Sequence, residues 1–192
     1  MAFSAFLDTC VLVPSTLRDL LLEIATHQGF RPLWSTGVES ELHRVITRLH
    51  AEAGKSSEET TAYIKRLLLN MNAALPDARV SGYEWMENSI VCLPDKNDRL
   101  VVAAATHGQA SVIVTFNLKD FPAEHLPGSL FSQSPDDFLL DLLDLSPVLI
   151  QHSLHQISKR SGRQGPRWET NDILERLRKE LVPHSCNEYH RA

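Results

Sequence analysis

Apolar residues along this chain alternate between short continuous runs and longer periodic stretches. "AFSAFL" is short, apolar and closed by Asp8, the pattern of a buried first strand. Leu17, Leu20, Leu21 and Ile24 then recur at helical spacing, with Pro14 at the start and Gly29 at the stop. "FRPLWS" predicts a second strand. Ser35 or Thr36 caps a helix reaching about His50, whose apolar stripe is Val38, Leu42, Val45 and Leu49. "KSSEETTAYIKRLLLNMNAAL" opens with Ser/Glu capping signals and predicts a further helix. "DARVSG" predicts a third strand, and "CLPDKND" a loop into a helix over 96–107 that ends at Gly108. "ASVIVTFN" predicts a strand, "FPAEHLPG" a loop and "SLFSQ" a short last strand. Strands alternating with helices predict an α/β fold with a parallel sheet covered on both faces. Its carboxyl edge is where such sheets bind ligands.

Past residue 134 the pattern changes. "SPDDFLLDLLDL", "SPVLIQHSLHQISKR" and "ETNDILERLRKEL" predict three short helices, separated by "SP" and the Gly/Arg-rich "SGRQGPR". Charge obeys the same division. Residues 151–192 hold eight Lys/Arg against five Asp/Glu, or +3, which leaves −8 for residues 1–150 of a total of −5. A chain of this net charge is no general nucleic-acid sponge, yet a basic tail beside an acidic body suits a site that takes a cation and a polyanion together. With 192 residues, 43% hydrophobic and 22% charged, the composition is that of a globular protein with a sizeable core. Cys10, Cys92 and Cys186 have no metal-ligand spacing and are odd in number, which points to a reduced, cytoplasmic protein. "MAFSAFLDTCVLVP" lacks a basic start and is interrupted by Asp8, so it does not read as a signal peptide, and no run approaches a membrane span.

Acidic residues gather at the predicted strand ends. Asp8 closes the first strand, and as a plain alternative it caps the helix beginning near Pro14. Asp95 reads as an N-cap. Asp98 precedes Val101, Val102 and Ala105 by three, four and seven residues, which puts a carboxylate on the inward helix face, where it needs a partner. Glu39 and Glu41 flank opposite edges of their helix's apolar stripe. Either can turn toward the sheet or stay solvated, and Glu39 can also pair with His43. Asn117 and Asp120 come after the "SVIVT" strand, and the Thr115 hydroxyl can orient a neighbouring carboxylate or water. Several acids from separate segments on one sheet edge repel one another unless neutralised. Oxygen ligands without paired Cys or His favour Mg²⁺ or Mn²⁺ over Zn²⁺. Such an ion suits metal-assisted phosphoryl chemistry.

Four stretches carry a family resemblance. "FLDTCVLVPSTLRDLLL", "LWSTGVESELHRVI", "PDKNDRLVVAAA" and "VIVTFNLKDFP" resemble, in order and spacing, the acid-bearing motifs of PIN-domain nucleases, in particular VapC-like toxins of bacterial toxin-antitoxin pairs. The resemblance covers about residues 3–140. "SPDDFL" and the helical stretch after it resemble a subgroup of long VapC-like proteins, so the expected division is a nuclease domain over 1–140 and a helical extension over 141–192. The resemblance implies a three-layer α/β/α sandwich, a Mg²⁺- or Mn²⁺-dependent endoribonuclease, a homodimer and a small VapB-like antitoxin that blocks the site. Carried over, Asp8, Glu41 and Asp98 are the core metal ligands, Asn117 stands at a fourth position that many members fill with a carboxylate, and Asp120 is close enough to substitute or to act through water. Thr9 and Thr115 are supporting hydroxyls. Three departures stand out. Cys10 replaces a common Asn and so removes a polar side chain near the first acid. Leu100 stands where the subgroup often has His. Asn117 lowers the site charge by one, so a second metal would bind more weakly.

The expected reaction is attack on an RNA phosphodiester by an activated water, which Asp120 orients. Arg44, Arg48, Lys119, Arg163 and Arg167 are candidate RNA contacts. Trp34 and Phe116 could stack on bases but suit the core better. Competing readings are a phosphatase of the haloacid dehalogenase type, a non-catalytic PIN-like RNA-binding or regulatory module, and a purely structural set of helix caps. The phosphatase needs a second Asp at the position of Cys10.

Overall fold

A computed structural model of the protein describes residues 3–90, 93, 95–162 and 165–181. In chain order the elements are β1 (Ser4–Leu7), α1 (Thr9–Leu12), α2 (Ser15–Thr26), β2 (Arg31–Ser35), α3 (Thr36–Glu52), α4 (Ser57–Ala74) and β3 (Arg79–Val80). They continue with α5 (Lys96–His107), β4 (Val112–Val114), β5 (Phe131–Gln133), α6 (Pro135–Leu145), α7 (Pro147–Arg160) and α8 (Thr170–Glu180). The sheet runs in the order β3-β2-β1-β4-β5 with every pairing parallel. Helices cover it as an α/β/α sandwich. Among the described residues no helix is long and apolar enough to cross a membrane.

The centre of the sheet is β1, with Ala5 in register with Pro32 on one side and Val112 on the other. Its side chains are apolar on both faces because both faces are covered, so Ala5, Phe6 and Leu7 are all buried. The chain leaves β1 toward β2 and β3, then returns across the sheet to β4. The switch point of the topology therefore lies between the carboxyl ends of β1 and β4, where ligand crevices form in open α/β sheets. Gly108 ends α5, and its lack of a side chain lets β2 and β3 pack close: a Cβ there would come within 2.9 Å of a Val80 methyl and 3.1 Å of a Leu33 methyl, which would have to shift.

Two elements depart from the sequence reading. α1 is a single buried turn, and Asp8 caps it by accepting from Thr9 N–H, rather than capping the helix near Pro14. Because Thr9, Cys10, Val11 and Leu12 are all buried, the turn has no amphipathic period to betray it. A 3-10 helix, Glu84–Ser89, likewise has no sequence signal and packs against α5. α6 runs across the boundary expected at residues 140 and 141. Its Phe138 sits edge-on to both Phe3 and Phe30, which fastens the C-terminal helices to the same hydrophobic core as the sheet.

Candidate active site

The cleft begins with Asp8, whose backbone N–H extends the β1–β4 ladder by donating to Val114 O. Asp8 is 2% exposed. Its Oδ1 accepts from Thr9 N–H at 2.7 Å, and its Oδ2 accepts from the Thr115 hydroxyl at 2.7 Å. The Cys10 thiol donates to the same Oδ2 at 3.1 Å. A carboxylate desolvated to this degree requires such donors. Cys10 is a correction to the sequence reading. Its sulfur does not remove polarity near the first acid; it touches Asp8 and Thr115 and accepts from Phe116 N–H at 3.2 Å. Cys92 and Cys186 lie outside the described residues.

The second acid is settled by tertiary contacts. Glu41 on α3 is half-buried and accepts from the Thr9 hydroxyl at 2.7 Å, with Arg44 at 3.4 Å. Glu39, two residues earlier, turns the other way. It is buried and accepts from Trp34 Nε1 at 3.2 Å and Asn72 Nδ2 at 2.9 Å, and it pairs with Arg79 at 3.1 Å rather than with His43. Trp34, fully buried and tied to Glu39, is a core residue and not a base-stacking one. Phe116 also packs against the core. Ser35 caps α3 through Val38 N–H at 3.1 Å, and this fixes the helix that presents Glu41.

Asp98 lies in the first turn of α5, where the helix dipole favours a carboxylate, and Asp95 is that helix's N-cap, accepting from Asn97 N–H at 2.7 Å. Asp8, Glu41 and Asp98 line one cleft of about 300 Å³, together with Ser35, Ser40 and Arg44. Tyr83 and Asn97 line it too, and sequence reasoning missed both; the signals were that Tyr83 follows the end of β3 and that Asn97 stands beside Asp98 in the first turn of α5. Tyr83 comes close because position 37 is glycine: a Cβ there would stand 3.0 Å from its hydroxyl. Asn117 is not among the cleft's lining residues, but its backbone N–H donates to Thr115 Oγ1 at 3.0 Å and so braces the hydroxyl that holds Asp8. Asp120 and Lys119 stand exposed in the 3-10 turn Leu118–Asp120, beyond the cleft lining. Arg48 pairs with Glu52 along α3 at 3.9 Å, Arg167 is exposed beyond α7, and Arg163 lies outside the described residues.

Among the described residues no group of three or more His, Cys, Asp and Glu side chains is placed so as to hold a metal ion. The donor set still fits a hard divalent cation, since three carboxylates from three elements share the cleft and cysteine sulfur faces Asp8 from behind. Glu41 and Asp98 are only half-buried, so closing on an ion costs side-chain entropy rather than repacking.

Comparison with known proteins then decides the family. The PIN domain profile matches residues 4–119, well over half the chain. The chain belongs to the PIN-domain family. The profile described as the VapC50 C-terminal domain matches residues 135–191 of this PIN-domain protein. A curated relative from Mycobacterium tuberculosis (strain ATCC 25618 / H37Rv), described as "Putative ribonuclease VapC50", is 39% identical over 77 residues. That alignment covers 38% of this chain and 46% of the relative, less than half its length. No solved structure matches this PIN-domain chain.

Proposed function

We propose that the protein is a divalent-metal-dependent endoribonuclease, the toxin of a VapBC-like pair, acting in the cytoplasm on RNA. The observation that carries this reading is the convergence of Asp8, Glu41 and Asp98, from the end of β1, α3 and α5, on one cleft at the carboxyl edge of the sheet, beside the ends of β1 and β2. The description of the mycobacterial relative as a ribonuclease supports it. Residues 1–140 are the nuclease unit in this reading, and 141–192 the extension. A homodimer and a VapB-like antitoxin belong to the same proposal.

Asp8, Glu41 and Asp98 hold the cation, Mg²⁺ or Mn²⁺, with Asn117 as a weaker neighbouring donor. When bound, such an ion acidifies water and offsets charge developing on the phosphate. The chain's own residues do the rest. Thr9, Thr115 and Cys10 fix Asp8 in one rotamer, so little reorganisation is needed when charge develops. The Thr9 hydroxyl also ties Glu41 to the same turn. Arg44 at the cleft contacts the RNA backbone, and Asp120, beyond the cleft lining, acts on the attacking water through a bridging water.

The test is cleavage of a mixed RNA pool with Mn²⁺, with EDTA, and by Asp98→Asn. Cleavage that requires both metal and Asp98 is the expected result, and the cut sites name the substrate. A folded protein that never cleaves, yet binds RNA equally well with Asn at 98, would sink the catalytic reading in favour of a binding module.

A further inference from the structure

A second polar concavity, of about 400 Å³, opens at the other end of α1 from Asp8. Arg18 on α2, Arg66 on α4 and Arg160 at the end of α7 line it, with Tyr63, Asn70 and Ser161. Asp19 is the one acid in that lining, and Glu23, just outside it, pairs with Arg160, so three arginines against two acids leave +1 in a chain of net charge −5. Asp19 answers Arg18 and Glu23 answers Arg160, which leaves Arg66 as the cation with no acid against it among the described residues.

Arg18 is the fixed point. It is 3% exposed, donating from Nη1 to Leu12 O at 2.9 Å and from Nη2 to the Tyr63 hydroxyl at 3.3 Å. Its Nε has no hydrogen-bond acceptor among the described residues, and Asp19, itself half exposed, stands 3.6 Å away. Arg160 pairs with Glu23, but a guanidinium has five N–H donors and one carboxylate does not use them all. Arg66 is exposed and has no ion pair or hydrogen bond among the described residues. Arginine forks match phosphate oxygens in geometry as well as charge.

The position of the cavity gives it a use. Asp8 caps the first turn of α1 and Arg18 holds the carbonyl of its last residue, so one four-residue turn, about 6 Å of helix, links the cleft's first acid to the arginine that backs the basic cavity. Trp168 also lines the cavity, but one face of its ring already carries Arg176 at 4.1 Å, so the wall offers mainly charge. Charge without base-edge readout positions a backbone and does not select sequence.

We propose that this cavity binds a backbone phosphate of the RNA whose scissile bond lies in the acidic cleft, with Arg66 and Arg160 as the contacting cations and Arg18 as the fixed charge behind them. The proposal rests on the ribonuclease reading. It gives the C-terminal helices a part in holding substrate, because Arg160 and Ser161 come from them.

The test uses the full chain in EDTA with a fluorescent single-stranded RNA, titrated at several salt concentrations. Arg66→Glu is expected to weaken binding about tenfold and flatten the logarithmic salt slope by about 0.7 per lost contact. Arg160→Gln should weaken it less. Lys65→Glu, an exposed neighbour on α4 outside the cavity, should stay within about twofold. With Mn²⁺ present, Arg66→Glu should raise KM and spare kcat. Equal losses from Lys65→Glu and Arg66→Glu would overturn the site in favour of general attraction. Arg66-dependent thermal stabilisation by inorganic phosphate, with RNA affinity unchanged in Arg66→Glu, would mean a small-phosphate site and overturn the RNA assignment. If the wild type cleaves RNA but Arg66→Glu binds it normally, this proposal alone fails. A wild type that neither binds nor cleaves RNA ends the ribonuclease reading and this one together.

Discussion

Asp98 and Glu180 are both acids at a helix N-terminus, in two regions that use carboxylates differently. Asp98 sits in the first turn of its own helix and faces the cleft. Glu180, at the end of α8, crosses to α2 and accepts from Thr16 N–H at 3.3 Å and Leu17 N–H at 2.8 Å. Those amides need an outside acceptor because Pro14, the N-cap of α2, has no side-chain oxygen. Along the same face Glu23 takes Arg160 and His27. The α2 face thus turns its acids into struts between the sheet layer and the C-terminal helices. The cleft instead brings acids from β1, α3 and α5 toward one space. Burial does not separate the two uses, since Glu39 is more buried than Glu41 and is still a strut. What separates them is where the carboxylate is spent: on distant segments of the fold, or on the short turn beside a cavity.

The largest effect should come from the strut region. Phe138→Ala removes the ring that packs edge-on against the stacked Phe3–Phe30 pair and should cost about 3–5 kcal/mol. Urea unfolding monitored by fluorescence and circular dichroism should shift as one transition; two separate transitions would make the C-terminal helices an independent unit. Next comes the contrast on α3. Glu41→Gln should lower RNA cleavage about 100-fold or more while leaving the melting temperature nearly unchanged. Glu39→Gln should reverse this, keeping activity and losing about 1–2 kcal/mol, a figure held down by the half-exposed Arg79 partner. Matching behaviour of the two variants would dissolve the distinction drawn between strut and cleft acids.

A smaller loss, about 1 kcal/mol, is expected for Glu180→Ala, as for removal of an N-cap. Hydrogen exchange should quicken at the Thr16 and Leu17 amides first; unchanged protection there would deny the cap its role. The smallest effect concerns α4. Ser56 N–H and hydroxyl donate to Glu59 and hold its carboxyl below its ordinary value of 4.5. A depressed folded pKa means stability that is complete above 4.5 and is lost as the pH falls through the folded value. Ser56→Ala keeps the backbone N–H, the larger cause, and removes only the hydroxyl, so it should flatten the melting-temperature profile below pH 4.5 in part and leave its slope above that pH alone.

The main elements were legible because their signals are local. Periodicity fixed the course of α2, α3 and α4, and Asp95 with Gly108 bounded α5 at the observed residues. Asp8 and Asp98 were readable as cleft residues because both stand at the ends of buried elements. Glu39 and Glu41 could not be told apart, since a helical wheel gives each an edge of the stripe and does not know that Trp34, Asn72 and Arg79 wait on one side. The turn α1 escaped notice because a fully buried turn has no polar face.

By itself, then, the sequence determined a parallel sheet sheathed in helices, with acids at its carboxyl edge, since strand and helix periods and capping residues act over a few positions. Only the tertiary structure decided which acids share a cleft, that Cys10 and Thr115 hold Asp8, that Glu180 caps a helix 163 positions away, and that three arginines meet around one cavity. Each of these joins residues far apart in the chain, and no local preference encodes the direction in which a side chain will find its partner.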